Sequence, residues 1–564
     1  MDNSWHQSVP DSEVGLKNLL LTTDRQGLLN WLHALSALPV TDIANTLRKA
    51  LAVLNQHQAE TGVLVWLDDL SGYLDDFSRQ VERTLLDSGL PLDSRQQATI
   101  ETTAKVNQAM AEYYAQLLDL SVAQSLSAAG NPAAYFIVQA LKSAGNVLLM
   151  ACQTYQPPFS GFWPFCYQLY KRADTAGILT DPVTLAGGKT VTIAQAFNEM
   201  ILLQLADMNQ FRPQEMRTIH QIFSELPLAP AFTTLPVADG RRWYLLDLAA
   251  GQPPALCKAT PAGPSADCFY ICGAPVARQL EVLLQSLHAP TALKRLNPAL
   301  FIRVIKTLSG QLKRAHTRLA KAEPARAICG FSNIVDYMRQ HTAFKVKTGS
   351  DASKTLSAAD LSLVPQGNEF VHQLQWHYRD DASAIGKIIS LGNALDVNSA
   401  VWKTPEEEVL PPKVEALNIN ILDSSVRGFK ILWPQTGQAI KVGELIALLQ
   451  EDGRRLETGL IRRISKLSAG GVVLGVEMIG FECELVRFAR PGLNRESKWA
   501  IVLPGIQALK QSDSLVFNTS GFAAGESIVL NLDQITVGGR LVKLINVTPA
   551  VSHAELLYYR QDET

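Results

Sequence analysis

The apolar residues of this 564-residue chain change their spacing along the sequence, and this change limits which elements can form where. Up to about residue 230 they recur at helical spacing, as Val106, Met110, Tyr113 and Leu117 do. Beyond residue 413 the helical spacing disappears. Short runs rich in apolar residues follow one another there, and glycines separate these runs. The spacing therefore predicts packed helices in the first part of the chain and an all-β last part.

At 61.7 kDa the chain is too long for one hydrophobic core, and 47% hydrophobic against 18% charged residues favours folded domains. The predicted fold class is α+β multidomain, with a mixed α/β middle between the helices and an antiparallel barrel. The predicted regions are an α-helical domain (1–230), a mixed middle (231–344), a polar connector or insertion (345–412), a β-barrel (413–495) and a C-terminal β extension (496–564).

The middle region carries both kinds of pattern. Arg242–Leu246 and Cys268–Cys272 are predicted to be short strands, separated by a loop rich in proline, glycine and alanine. Helical spacing returns from Val276 to Leu287 and again from Pro298 to about Lys321. The Asn131–Pro132 pair earlier in the chain predicts a helix that starts at the proline.

Charge and composition narrow the classes of function. A net charge of −2 gives no general attraction to nucleic acid or to an anionic membrane. The first residues have neither a basic start nor an apolar stretch, and polar residues interrupt the most apolar segment, Ala133–Cys152. We therefore expect a cytoplasmic protein with no membrane span and no nucleic-acid partner.

The pattern of the cysteines and the absence of the known catalytic motifs predict no cofactor, no metal site and no enzymatic activity. Seven scattered cysteines suit reduced thiols. Cys257, Cys268 and Cys272 lie near one another in sequence, but they form no C-x-x-C pair and have no histidine at ligand spacing. The sequence also has no P-loop, no G-x-S-x-G, no H-E-x-x-H and no dinucleotide fingerprint.

The stretch ILDSSVRGFKILWP contains a D-x-S-x-x-G pattern formed by Asp423, Ser425 and Gly428. A carboxylate, a hydroxyl group and a glycine between two strands suit a tight hairpin, because these are common turn residues. The same groups also suit the edge of a guanine base, because a carboxylate can accept hydrogen bonds from the N1–H and N2–H₂ groups of the base. The residues alone leave both interpretations open.

The surroundings of this motif resemble the PilZ domain over roughly residues 414–490. The strands that follow it have the glycine spacing of that family: Lys441–Ala447, Thr458–Ile464 and Val473–Ile479. The resemblance implies a six-stranded barrel that binds cyclic di-GMP, a bacterial second messenger, with Asp423, Ser425 and Gly428 facing a guanine. The helical first part, around residues 192–215, is similar to an extension found on some large proteobacterial PilZ proteins.

PilZ domains carry a second motif, R-x-x-x-R, just before their first strand, with arginines that contact phosphate and guanine. No arginine lies between Arg379 and Arg427, but Arg314 and Arg318 form this pattern far upstream. If Ala325–Phe331 is the first barrel strand, residues 332–412 form an insertion within the barrel.

The alternative for the displaced motif is that Arg314 and Arg318 lie four residues apart on a solvated helix face. Arg427 is a further candidate for binding phosphate. Arg462 and Arg463 are adjacent on a predicted strand, so they point to opposite faces and at most one of them faces any given pocket.

The resemblance implies a bacterial signalling protein: a cyclic di-GMP receptor or adaptor that acts through its barrel and through a helical domain that binds a protein partner. The predicted ligand-binding residues are Asp423, Ser425, Gly428, Arg314, Arg318 and Arg427. The alternative is a degenerate PilZ-like scaffold that binds protein partners without nucleotide.

Overall fold

The structure is a computed structural model. The structure describes residues 13–558 except 21–24, 57–66, 87, 120–130, 186–187, 237–240, 258–266, 286–297, 311–318, 342–412, 426, 435–437, 450–454, 468–470, 492–496, 506–510, 519–520 and 533–534. The predicted connector at 345–412 therefore lies outside the described residues.

The first part of the chain is helical, as its apolar spacing predicts. The helices are α1 Glu13–Leu20, α2 Arg25–Leu35, α3 Val40–Gln56, α4 Leu67–Leu85, α5 Ser94–Leu117, α6 Pro132–Gln153, α7 Phe162–Thr175, α8 Ile193–Leu205 and α9 Pro213–Glu225. Asn131 caps α6 by accepting the backbone N–H of Ala133 at 3.1 Å, which confirms the start predicted from Asn131–Pro132. Thr192 caps α8 in a reciprocal pair with Gln195.

Helix α6 forms the centre of the helical part. It contacts α4, α5, α7, α8 and α9, and among the helices described it is the one that is long and apolar enough to cross a membrane. However, 72% of its most apolar window is buried inside the protein. Its composition is therefore that of a core helix.

The middle region combines a small antiparallel sheet with two helices, as predicted. A two-stranded ladder, β1 Val183–Thr184 and β2 Thr190–Val191, precedes it in the chain. The sheet has the strand order β3-β6-β4-β5, and it is followed by α10 and α11. Their bounds are β3 Ala231–Thr233, β4 Tyr244–Asp247, β5 Ala255–Leu256, β6 Cys268–Cys272, α10 Ala274–Gln285 and α11 Pro298–Leu308.

The helix predicted from Pro298 to about Lys321 is wrong at its end. α11 ends at Leu308, and Gly310 follows with a φ of 74°, a left-handed conformation typical of the residue after a helix. Residues Leu319–Cys329 form a strand, β7, instead. Pro324 lies within this strand, and a proline there is incompatible with a regular helix interior.

β7 belongs to a closed six-stranded antiparallel barrel with the order β10-β11-β12-β9-β8-β7. The other strands are β8 Leu417–Ser425, β9 Gly428–Trp433, β10 Leu445–Leu449, β11 Leu456–Lys466 and β12 Val472–Gly480. The prediction that the stretch from Ala325 supplies a barrel strand is confirmed as far as Cys329, whereas Phe331 begins helix α12, Phe331–Gln340.

A second closed barrel follows, with the order β13-β14-β15-β18-β17-β16. Its strands are β13 Glu484–Ala489, β14 Lys498–Leu503, β15 Ser514–Phe517, β16 Ser527–Leu532, β17 Ile535–Val547 and β18 Ser552–Tyr558. Its core includes the aromatic rings of Phe488 and Phe517, whose centroids lie 5.2 Å apart. The predicted fold class is therefore confirmed, and the exact region boundaries stay predictions.

The chain divides into two compact units. The first comprises residues 1–322, 421–442 and 462–475, and the second comprises residues 323–420, 443–461 and 476–564. In the second unit, Phe331, Ile334 and Met338 of α12 belong to one hydrophobic cluster that includes residues of both barrels. Leu445 and Leu460 come from the first barrel, and Ile501 and Val516 come from the second.

Gly310 offers a direct test of how α11 ends. A Cβ atom at this position would lie 2.6 Å from Cβ of Arg242, and the positive φ adds strain for any other residue. We expect Gly310→Ala to lower the free energy of unfolding by roughly 1–3 kcal/mol in chemical denaturation.

The matched control is Gly72→Ala within α4, where a Cβ would meet nothing within 4 Å. Alanine is the better helix former, so this change is expected to raise the free energy of unfolding by roughly 0.5–1 kcal/mol. Equal effects of the two substitutions on the free energy of unfolding would contradict the role given to Gly310 at the end of α11.

Candidate ligand-binding site

The D-x-S-x-x-G motif forms the hairpin between β8 and β9. Ser425 is the last residue of β8 and Gly428 the first of β9, and the Ser425 hydroxyl donates to the Gly428 carbonyl over 3.2 Å. Asp423 and Ser425 are half-buried, Gly428 is buried and Arg427 is exposed. The motif therefore does make a turn, and it leaves polar side chains at the end of the barrel.

Strand alternation places two of these side chains on one face. Along β8, the buried Ile419 and Ile421 alternate with the exposed Asn418 and Asn420. Asp423 and Ser425 continue the series of Ile419 and Ile421, because successive odd positions share a face of a strand. A carboxylate and a hydroxyl group follow a buried apolar row, an arrangement that can accept hydrogen bonds from a ligand at the barrel end.

Arg314 and Arg318 lie outside the described residues. The strand that directly follows Arg318 is nevertheless described, since β7 begins at Leu319. β7 and β8 are neighbours in the antiparallel barrel, so the start of β7 and the end of β8 lie at the same end of the barrel. The structure therefore places the strand that follows the Arg314–Arg318 motif beside the strand that ends in the D-x-S-x-x-G motif.

Helices of the first unit contact the barrel segments that belong to the same unit. The guanidinium group of Arg463 on β11 forms an ion pair with Asp207, and the backbone N–H of Lys466 donates to the Tyr155 carbonyl over 2.8 Å. Nε of Arg212 donates to the Val442 carbonyl over 2.6 Å. These contacts attach the segments around α6 and α9 to β11 and to the residues before β10.

A backbone bridge adds to this attachment. The N–H of Leu90 donates to the Ile440 carbonyl over 3.0 Å, and the N–H of Ile440 donates back over 2.8 Å. A Cβ at Gly89 would lie 2.9 Å from Cβ of Ala439, so the two chain segments approach closely. The attachment is therefore held by backbone as well as by charged groups.

Arg303 lies in a part of the sequence that is rich in lysine and arginine and also contains Arg314, but it has a structural role. Its Nη1 lies 3.1 Å from Oε1 of Glu215, and its guanidinium carbon lies 4.6 Å above the centroid of the Phe211 ring. The other carboxylate oxygen of Glu215 accepts the backbone N–H of Arg212 over 2.8 Å at the start of α9. Burial lowers the pKa of Arg303, and the charge of Glu215 opposes that change.

Two further arginines that the sequence singles out also differ in their surroundings. Arg463 is exposed and Arg462 is half-buried, in agreement with the prediction that they point to opposite faces. The ion pairs of Arg463 with Asp207 and of Arg303 with Glu215 are not visible in the sequence, because each joins residues far apart in the chain. The sequence does contain a local signal for the position of Glu215, because a glutamate three residues after the residue that precedes a helix is typical of a helix start.

The three neighbouring cysteines lie around a small apolar cluster. Cys272 is buried with Trp243 and Tyr270 in a small apolar cluster, against which Cys257 packs. No group of three or more histidine, cysteine or acidic side chains among the described residues could hold a metal ion.

Comparisons with known proteins match this architecture in order along the chain. The model described as "Cyclic-di-GMP receptor FimW, N-terminal domain" matches residues 26–230, and "Cyclic-di-GMP receptor FimW, middle PilZ domain" matches residues 244–484. "FimW C-terminal beta-barrel domain" matches residues 485–558. The middle match spans both β7 and β8, so one PilZ domain contains the segment between them.

A curated relative agrees with the domain models. The protein named cyclic-di-GMP receptor FimW from Pseudomonas aeruginosa is 21% identical to this chain over 484 residues, which cover 80% of this chain and 77% of the relative. None of these descriptions names a catalytic activity. With its helical part, its interrupted PilZ barrel and its second barrel in the same order, the chain belongs to the FimW family of PilZ-domain proteins.

Proposed function

We propose that this protein is a cytoplasmic, non-enzymatic receptor for cyclic di-GMP, which acts as an adaptor towards a protein partner of its helical part. The observation that carries the proposal is the pairing of β7 with β8. It places the strand that follows Arg318 beside the strand that ends in Asp423 and Ser425. The name of the Pseudomonas relative supports the identity of the ligand.

Each proposed ligand residue has a chemical role in this arrangement. The Asp423 carboxylate and the Ser425 hydroxyl accept the N1–H and N2–H₂ groups of a guanine, and Gly428 lets the backbone come close to the base. Arg314 and Arg318 contact the phosphates, for which a planar and permanently charged guanidinium group is well suited. Arg427, exposed at the hairpin, supplies further positive charge near the bound nucleotide.

Calorimetric titration of cyclic di-GMP into the full chain tests the receptor function. We expect micromolar or tighter binding, and a loss of about tenfold or more in affinity for Asp423→Ala and for Arg318→Ala, because each removes a direct ligand contact. Arg455→Ala is the matched control, since Arg455 pairs with Glu482 at 3.6 Å and both side chains are well exposed.

A dissociation constant weaker than about 100 μM for the unaltered protein would refute the receptor function. The chain would then be a PilZ-like scaffold that binds proteins without nucleotide, an alternative favoured by the absence of an arginine between Arg379 and Arg427. In that case Asp423→Ala and Arg318→Ala would leave the recovery of partners unchanged.

Transmission of the signal can follow a short path through the barrel. In the strand order β11-β12-β9, two strand spacings of about 4.8 Å each separate β11 from the strand that begins at Gly428. Arg463 on β11 neighbours Gly475 on β12, where a Cβ would lie 3.2 Å from Cβ of Arg463. The ion pair of Arg463 with Asp207 links this path to the helices.

We expect cyclic di-GMP to increase hydrogen-exchange protection in peptides that cover residues 193–225, and Arg463→Ala to remove most of that increase. The affinity for the nucleotide should change less than about threefold, because Arg463 is not a proposed ligand residue. Arg455→Ala should leave the protection unchanged. Equal protection in Arg463→Ala and the unaltered protein would disprove this route while leaving the receptor function intact.

A further inference from the structure

A cluster of four charged or titratable side chains joins three helices of the first unit. Nε2 of His220 on α9 lies 2.7 Å from Oε1 of Glu199 on α8. Nε of Arg217, one turn earlier on α9, lies 3.8 Å from Oε2 of Glu82 on α4. We call these four residues the His220 cluster. Its contacts tie α9 to both of the other helices.

Glu82 is the most buried member of the His220 cluster. Its side chain is 4% exposed, whereas the side chains of the other three residues are 19–26% exposed. A buried carboxylate is costly unless nearby cations stabilise its charge. Burial accordingly raises the pKa of Glu82, and the charges of His220 and Arg217 oppose that rise. The ionised form of Glu82 therefore depends on His220 as well as on Arg217.

The net charge of the cluster depends on the proton of His220. With His220 protonated, the cluster holds two carboxylates and two cations, so its charges balance. Loss of that proton leaves one uncompensated negative charge beside the buried Glu82. Burial by itself lowers the pKa of His220, but the charge and hydrogen bond of Glu199 and the charge of Glu82 raise it above the ordinary value for histidine. The fold thus favours the imidazolium form.

The other charged groups around the cluster do not reverse this preference. They are Lys189, Arg79, Asp75 and Lys142. Lys189 lowers the pKa of His220, but the two carboxylates outweigh it. Arg79 and Asp75 act on the pKa of Glu82 with opposite signs. Lys142, the one charged residue of α6, pairs with Asp75 at 3.5 Å. His220 therefore keeps its raised pKa in these surroundings.

We propose that His220 makes the packing of α9 against α4 and α8 sensitive to pH, because its imidazolium ion holds the three helices together and its neutral ring holds them less firmly. A fold that binds a proton more tightly than the unfolded chain gains full stability from it below the ordinary pKa of histidine, about 6.5. This gain is lost as the pH rises through the higher pKa of His220 in the folded protein. The helical part is therefore loosened on the alkaline side of this range.

α9 is also the helix through which such a change reaches the first barrel. Arg212, directly before α9, donates from Nε to the Val442 carbonyl over 2.6 Å. A looser α9 weakens this contact, because Arg212 is positioned by the start of the helix. The inference goes beyond the proposed receptor function and does not depend on nucleotide binding.

Hydrogen exchange of the full chain without nucleotide, at about pH 6 and about pH 8, tests the proposal. The measured rates are corrected for the chemical exchange rate at each pH. In peptides that cover α9, residues 213–225, the equilibrium constant for local opening should rise by up to about tenfold per pH unit between about 6.5 and the pKa of His220. The expected rise over the whole interval is about threefold or more.

His220→Gln should remove most of this rise, because glutamine can still donate a hydrogen bond to Glu199 but does not titrate. The matched control is His33→Gln, since His33 lies exposed on α2, and this variant should respond to pH as the unaltered protein does. Glu199→Gln and Glu82→Gln each remove a carboxylate that raises the pKa of His220, so the midpoint of the rise should move to lower pH in both variants. The shift should be larger for Glu199→Gln, because Glu199 contacts the imidazole ring.

Three results would overturn the proposal: an opening constant that is equal at the two pH values, an equal rise in His220→Gln and the unaltered protein, or loss of the rise in His33→Gln. Circular dichroism verifies that each variant is folded. If His220→Gln does not fold, the two glutamate variants decide, and a midpoint that neither of them moves refutes the role of the cluster.

Discussion

Closure of the first barrel depends on the hydrogen bonds that β7 makes with β8 and β10, although residues 330–416 separate β7 from β8 in the chain. Without β7, two strands would present unpaired backbone edges, which are costly when buried and prone to aggregate when exposed. The long separation itself is tolerable, because the entropy of loop closure grows by only about 0.6 kcal/mol for each doubling of length. The proposed nucleotide site depends on the same pairing, since it lies where β7 begins and β8 ends.

Local patterns in the sequence predicted the elements well wherever neighbouring residues decide the structure. The Asn131 cap, the strands around Tyr244 and Cys268, and the D-x-S-x-x-G turn all follow from residues within a few positions of one another. The end of α11 was missed because apolar spacing alone does not reveal that Gly310 adopts a positive φ. The partners of Arg303 and Arg463 could not be predicted, because they are set by tertiary packing across long stretches of chain.

The arginines that the sequence alone does not distinguish differ in their partners and in their exposure in the structure. Arg303 is held between a carboxylate and an aromatic ring and fixes α11 against the start of α9. Arg463 ties a barrel strand to Asp207, whereas Arg427 is exposed at the hairpin. Counting arginines near a motif therefore overestimates the positive charge available to a ligand, and the hydrogen-bond partners have to be considered one by one.

The cluster around α12 has a consequence for how the second unit folds. Phe331, Ile334 and Met338 contribute to a single apolar core with residues of both barrels, although separate family models describe the two barrels. A chain cut after Gly480 would leave part of this core open to water, at roughly 1.5–3 kcal/mol for each large side chain exposed. The two barrels are recognised separately in the sequence, but their shared core means that each is stable only in the presence of the other.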